Sequence, residues 1–127
     1  MRQLIEEFVY TEAGYKPCLI TPKWQAALLN YADSQAYTAM DKLEKHVNTD
    51  EVFVLLEGMA TLIAAELDGD KIIKLNTKLL EKGVIYNIPA GVWHNIAMKP
   101  DARLLILEDA NTHLNDVIYQ SVGRLEV

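Results

Sequence analysis

Apolar and polar side chains alternate in short runs along most of the chain, and glycine, proline, asparagine and aspartate separate the runs. A period of two marks strands with one buried face, and stretches of helical period are scarce. Strands are predicted over residues 24–31, 36–40, 51–56, 61–67, 71–75, 84–88, 94–98 and 102–109. Asp68-Gly69-Asp70 between two such runs is a hairpin signal, and Glu81-Lys82-Gly83 is a further turn. Lys99-Pro100-Asp101 is expected to join 94–98 to 102–109 as a pair. Tyr15-Lys16-Pro17 and Thr21-Pro22 bias the residues before each proline to extended backbone. After residue 110, Asn111, Asn115 and Asp116 favour loop, while 116–119 can form a late strand or an arm. Many short strands at this spacing predict an all-β barrel or sandwich. No linker, repeat or charge block divides residues 1–127, so a single domain is expected, with N-terminal strands in 1–35, the barrel in 36–109 and a tail in 110–127.

The run Glu51-Val52-Phe53-Val54-Leu55-Leu56 is apolar on both faces apart from Glu51, and a strand of that kind is covered on both faces. The second cover is either the chain's own N-terminal strand or a second subunit; a homodimer is expected on the frequency of two-fold dimers. The 127 residues suffice for a core without disulfides, and the single cysteine, Cys18, excludes an intrachain disulfide framework. With 18 acidic and 12 basic residues, a net charge of −6 and no basic stripe, nucleic acid is an unfavourable partner. The start, with acids at Glu6 and Glu7, does not read as a signal peptide. No apolar run approaches membrane-spanning length, so a cytoplasmic protein with no membrane partner is expected.

Two stretches carry candidate chemistry. Residues 83–98 hold Gly83, Pro89, Gly91 and His94, and Pro89-Ala90-Gly91 reads as a sharp turn that delivers His94 into the next strand. Residues 44–58 offer Glu44, His46 and Glu51. In an extended chain residues 44 and 46 share a face. Two imidazoles and one carboxylate form the facial arrangement of non-haem Fe(II) sites, and the same donors suit Mn, Ni, Co or Zn, so the metal's identity stays open. Glu44 is a candidate fourth ligand. Each residue has a plainer alternative: a core histidine for His94, a solvated loop for His46, an exposed strand end for Glu51 and a surface charge for Glu44. His113 is expected to face solvent. Phe53, Tyr86, Trp93 and Trp24 either line a pocket or pack in the core, and Asn48 either approaches the site or serves a turn.

These two stretches resemble the paired motifs of the cupin superfamily. The second motif reads Gly, five residues, Pro, any, Gly, two residues, His, three residues, Asn; Gly83, Pro89, Gly91 and His94 fall at those places, with Met98 where asparagine is usual. The first reads His-any-His, three or four residues, Glu, six residues, Gly. Glu51 and Gly58 match, His46 takes the second histidine's place, and Glu44 falls at the first. The resemblance implies a small single-domain cupin, a jelly-roll barrel with a divalent transition metal held by His46, Glu51, His94 and Glu44. It implies either a metal-dependent enzyme acting on a small polar molecule, such as a sugar derivative or small acid, or a small-molecule-binding or sensor protein without turnover. A metal-free sugar isomerase or epimerase with a histidine base is the further alternative.

Overall fold

The computed structural model describes residues 2–127. The strands in chain order are β1 (Gly14–Ile20), β2 (Trp24–Asn30), β3 (Lys42–Lys45), β4 (Glu51–Glu57), β5 (Ala60–Asp68), β6 (Lys71–Leu79), β7 (Tyr86–Ile88), β8 (Trp93–Met98), β9 (Arg103–Asp109) and β10 (Ile118–Ser121). One short helix, α1 (Thr112–Asn115), precedes β10. They form two antiparallel five-stranded sheets, β1-β2-β9-β4-β7 and β10-β3-β8-β5-β6, the two layers of a single jelly-roll domain.

The alternation in the sequence decides what lies between the layers. Phe53 and Leu55 of β4, Leu104 and Ile106 of β9, and Ala27 and Leu29 of β2 are buried in one cluster with Leu62 of β5 and Ile96 and Met98 of β8. Burial of each large side chain contributes about 1.5–3 kcal/mol. β6 is an edge strand whose exposed side chains include Lys71, Lys74 and Lys78, and such charges discourage edge-to-edge pairing.

Two sequence expectations fail, both where the chain changes layer. Residues 36–40 are not a strand; Asp33–Gln35 and Tyr37–Ala39 are 3-10 turns. This segment crosses from β2 in one sheet to β3 in the other, and compact turns cover that gap. Side chains replace the missing ladder: Gln35 Nε2 donates to the Ile96 carbonyl at 2.6 Å, and the Tyr37 and Thr61 hydroxyls are 2.6 Å apart. Nor do β8 and β9 pair with each other. β8 pairs with β3 and β5, whereas β9 pairs with β2 and β4. Lys99-Pro100-Asp101 is a corner over the barrel end, fixed by Lys99 N–H to Met59 O and Ala102 N–H to Lys99 O, each 2.9 Å.

On the outer surface of the first sheet, Val52, Leu107 and Ala26 stand in register across three strands, as do Val54, Leu105 and Leu28. These six are half-buried, except Leu107, which is exposed. The N-terminal segment does not supply a complete cover for this apolar stripe.

Candidate metal centre

Glu44 and His94 are paired in register on β3 and β8 of one sheet, Glu51 opens β4 in the other, and His46 lies in the loop between β3 and β4. The two sequence stretches clasp each other. Gly91, at φ +85°, forms the corner of the Pro89-Ala90-Gly91 turn. Its N–H donates to the His46 carbonyl at 2.7 Å, and the Ala90 N–H donates to Asp50 Oδ1 at 2.9 Å. From the other side the Asp116 carboxylate accepts the N–H groups of Val47 and Asn48, each at 2.8 Å. Asn48 therefore serves the turn rather than the site.

The arrangement brings all four predicted ligands together. His46 Nε2 lies 2.9 Å and His94 Nε2 2.7 Å from the same oxygen, Glu51 Oε1. Glu44 Oε1 is 3.8 Å from His94 Nε2, and one donor atom from each of the four residues falls within 4.8 Å of the others. His46, Glu51 and His94 are buried; Glu44 is half-buried.

The opposite edge of each imidazole determines what this cluster can hold. His46 Nδ1 is 2.6 Å from the Asp116 carbonyl and His94 Nδ1 is 2.9 Å from the Val92 carbonyl. A carbonyl only accepts, so each Nδ1 carries the hydrogen and each neutral ring presents a lone pair at Nε2. Two nitrogen lone pairs and a carboxylate then converge with no hydrogen between them. Such a centre takes a cation or extra protons, and the outward Nδ1–H to carbonyl bond is the orienting partner of metal-bound histidines.

Without an ion, protons fill that role. Burial opposes charge on His46, but the hydrogen bond to Glu51 and the Glu51 charge outweigh it and push the imidazole up to about 9. His94 is raised by the same balance. Burial acts to raise Glu51, yet hydrogen bonds from the two histidines hold it below its ordinary value. Burial and then the Glu51 charge raise Glu44.

The histidine shifts predict a pH dependence for the metal-free protein. A raised folded-state value adds stability that is fully present below the free-histidine value of 6.5 and is lost as pH rises through about 9. The urea midpoint of metal-stripped protein is expected to be lower at pH 9 than at pH 6. A flat profile over that range would mean that the imidazoles stay neutral.

A third carboxylate, absent from the sequence-based ligand set, lies beside these residues. Glu108 of β9 is in register with Glu51 on one side and Gln25 on the other. Its Oε1 accepts from the Tyr15 hydroxyl at 2.6 Å and from Gln25 Nε2 at 3.2 Å. Burial and the Glu51 charge push this carboxyl up to about 7, and burial with the bond to Glu108 raises the Tyr15 phenol as well.

Glu44, His46, Glu51, Glu108 and Tyr15 line one cavity of about 220 Å³, below the roughly 300–1,000 Å³ of drug-sized pockets. Of the four aromatic residues read as either pocket or core, Phe53 lines it and Tyr86, Trp93 and Trp24 do not; the other aromatic walls are Tyr15 and Tyr119. Trp24 is 48% exposed on the outer edge, Tyr86 packs on the apolar core, and Trp93 lies under Lys45. His113 is not solvent-facing: α1 folds back so that the ring lines the cavity, with Nδ1 3.0 Å from Gln25 Nε2.

No family profile matches the chain, and no curated protein matches it in sequence. Solved structures do match. A cupin-2 domain protein from Shewanella frigidimarina is 24% identical with a TM-score of 0.52, the match covering 79% of this chain and 84% of that one. KdgF from a Halomonas species is 16% identical with a TM-score of 0.57, covering 84% and 87%. Oxalate decarboxylase from Bacillus subtilis, a protein with Mn(II) centres, is 14% identical with a TM-score of 0.51, covering 72% of this chain and 22% of that one. The chain has the cupin fold. Its pocket carries a His/Glu cluster able to hold a metal ion.

Proposed function

We propose that this chain is a single-domain, metal-dependent cupin acting on a small polar molecule, with His46, Glu51 and His94 as ligands of a divalent transition metal and Glu44 as the fourth. The observation that supports it best is the convergence of two Nε2 lone pairs on one carboxylate oxygen, each ring locked from behind by a backbone carbonyl. The bound ion would act as a Lewis acid or activate water or oxygen. The chain's own part is to fix both imidazoles, wall the cavity with Phe53 and Tyr15, and admit only a small ligand.

Metal analysis tests this directly. Untagged, metal-stripped protein is expected to take up about one equivalent of Mn, Fe(II), Co, Ni or Zn and to release protons on binding, since the ligating imidazoles must be neutral. Uptake below roughly a tenth of an equivalent for every ion would remove the metal from the picture. Glu44→Ala is expected to weaken the ion without abolishing it, because His46, Glu51 and His94 keep their mutual contacts; complete loss would make Glu44 indispensable.

One observation favours a second reading, a metal-free isomerase or epimerase. The imidazoles and Glu51 already satisfy one another with protons in place of an ion, and His46 lines the cavity as a ready acid or base. Turnover by rigorously metal-free protein would select it.

We also propose a homodimer through the outer stripe of Val52, Val54, Leu105 and Leu107. Val54→Lys is expected to shift the mass measured by light scattering from two chains to one; an unchanged mass would place any assembly elsewhere.

A further inference from the structure

One buried polar atom beside the cavity takes part in no hydrogen bond within the protein. Among the described residues, Glu108 Oε2 is the buried side-chain oxygen or nitrogen without a hydrogen-bond partner. The Glu108 side chain is 3% exposed, and His46 Nε2, at 3.7 Å, lies beyond hydrogen-bond length. Glu108 is not loose. Oε1 is held by the Tyr15 hydroxyl and Gln25 Nε2, which are themselves 3.0 Å apart, and Gln25 Oε1 is anchored by the Asn111 N–H at 2.8 Å. Two donors grip one oxygen and leave the other, on a residue that lines the cavity, unpaired on the side of His46 Nε2. A buried acceptor left empty costs about 1–3 kcal/mol, so a group held this firmly and left unpaired is positioned for something that enters the cavity.

The charges around it narrow what that is. Glu44, Glu51 and Glu108 all line the cavity, and the cations facing them are Lys42 and, in the metal-free protein, the His46 imidazole. The Lys42 ammonium is turned onto the Tyr119 ring, 4.9 Å from its centroid. The His46 imidazolium, the cation nearest Oε2, is already committed to Glu51 at 2.9 Å, and an ion in its place would be shared among Glu44, Glu51 and the two imidazoles, so a carboxylate ligand would meet like charge at Glu108 with no free cation beside it. A hydroxyl or an ammonium brings the hydrogen that Oε2 lacks.

We infer that Glu108 is the ligand-binding carboxylate of this pocket and that it selects a small hydroxylated or amine-bearing molecule over a small organic acid. The inference rests on the cavity being the functional site, and it replaces the choice between sugar derivative and small acid by the former class or an amino alcohol. Glu108 accepts the ligand's O–H or N–H while Tyr15 and Gln25 keep the carboxylate aimed.

The isosteric variant Glu108→Gln makes a sharp test. Tyr15 and Gln25 both donate toward Oε1, so they hold the new carboxamide oxygen on their side and turn its NH2 into the cavity. The pocket-facing group changes from acceptor to donor at constant volume. D-ribose, 2-aminoethanol and acetate serve as probes, titrated at pH 8.5, above the value of about 7 to which Glu108 is raised so that it is a carboxylate, by NMR into metal-free protein and by visible absorption into Co(II)-loaded protein. Wild type is expected to bind ribose or aminoethanol more tightly than acetate. Glu108→Gln is expected to weaken the first two by about tenfold, the effect of losing a hydrogen bond to a charged group, and to tighten acetate. Glu108→Asp, which keeps the charge but withdraws it by one methylene, is a second variant should the first not fold, with the same loss for ribose expected. Preference for acetate in the wild type, or equal binding of all probes by both proteins, would overturn the inference. Failure of Co(II) to bind, with the NMR ordering preserved, would instead remove the metal and leave the role of Glu108 standing.

Discussion

Glu51→Gln is expected to abolish metal binding while leaving the barrel folded. Glu51 Oε1 is the point on which both imidazoles converge, so its loss removes a ligand and the charge that gathers the other two. The drop in affinity should exceed the roughly 10- to 100-fold that follows loss of an outer-shell partner. The fold survives because a carboxamide NH2 in place of Oε1 has two hydrogens for two Nε2 lone pairs. That pairing favours neutral rings, so the loss of stability between pH 6 and pH 9 expected for the metal-free parent should largely vanish in the variant. Equilibrium dialysis and urea unfolding at the two pH values check both parts. Retained stoichiometric metal would show that the ion, if present, sits elsewhere.

Gly58→Ala is expected to destabilise the whole domain. Gly58 has φ +75°, and a Cβ there would lie 2.6 Å from both the carbonyl carbon and oxygen of Asp101 and 2.7 Å from Ala102 Cα. All three are backbone atoms of the corner between β8 and β9, so nothing nearby can rotate aside. The left-handed backbone and the overpacking together cost about 2–5 kcal/mol, or roughly 10 °C in thermal midpoint for a chain of this size. Gly69→Ala provides the comparison: φ is +63°, but no atom lies within 4 Å of the added Cβ, so only the conformational cost of about 1–2 kcal/mol remains. Equal midpoints for the two variants would show that the β4–β5 and β8–β9 corners do not press together.

Strand identity was legible wherever one face of a strand is buried, because alternation records burial directly: Phe53 and Leu55 in β4 and Leu104 and Ile106 in β9 are inward as their parity implies. Alternation says nothing about which strand lies alongside. A short polar connection such as Lys99-Pro100-Asp101 looks the same whether it closes a hairpin or crosses between layers, and the assumed pairing of β8 with β9 failed there. Residues 36–40 failed for a related reason, since apolar content alone cannot separate a strand from a buried crossover.

The four clustered residues were legible in two places: His94 from its spacing after the Pro89-Ala90-Gly91 turn, and Glu44, His46 and Glu51 from their spacing before Gly58. Glu108 bore the same mark as Glu51, an acid in phase with the inward series Leu104, Ile106 at a strand end, and that parity was the signal available for it. His113 offered none: its place depends on α1 folding back after Asn111, whose φ of +63° is a tertiary outcome.

The bond from His46 Nδ1 to the Asp116 carbonyl ties the pocket to the order in which the chain is made. Every strand from β1 to β9 precedes Asp116, so a growing polypeptide can close both layers while His46 still lacks the carbonyl that orients it and Val47 and Asn48 lack the carboxylate that caps them. Affinity for the proposed ion is expected to rise by roughly 10- to 100-fold once residue 116 has emerged and its carbonyl orients His46. Nascent chains halted before that point should take up metal correspondingly more weakly than chains halted after β10.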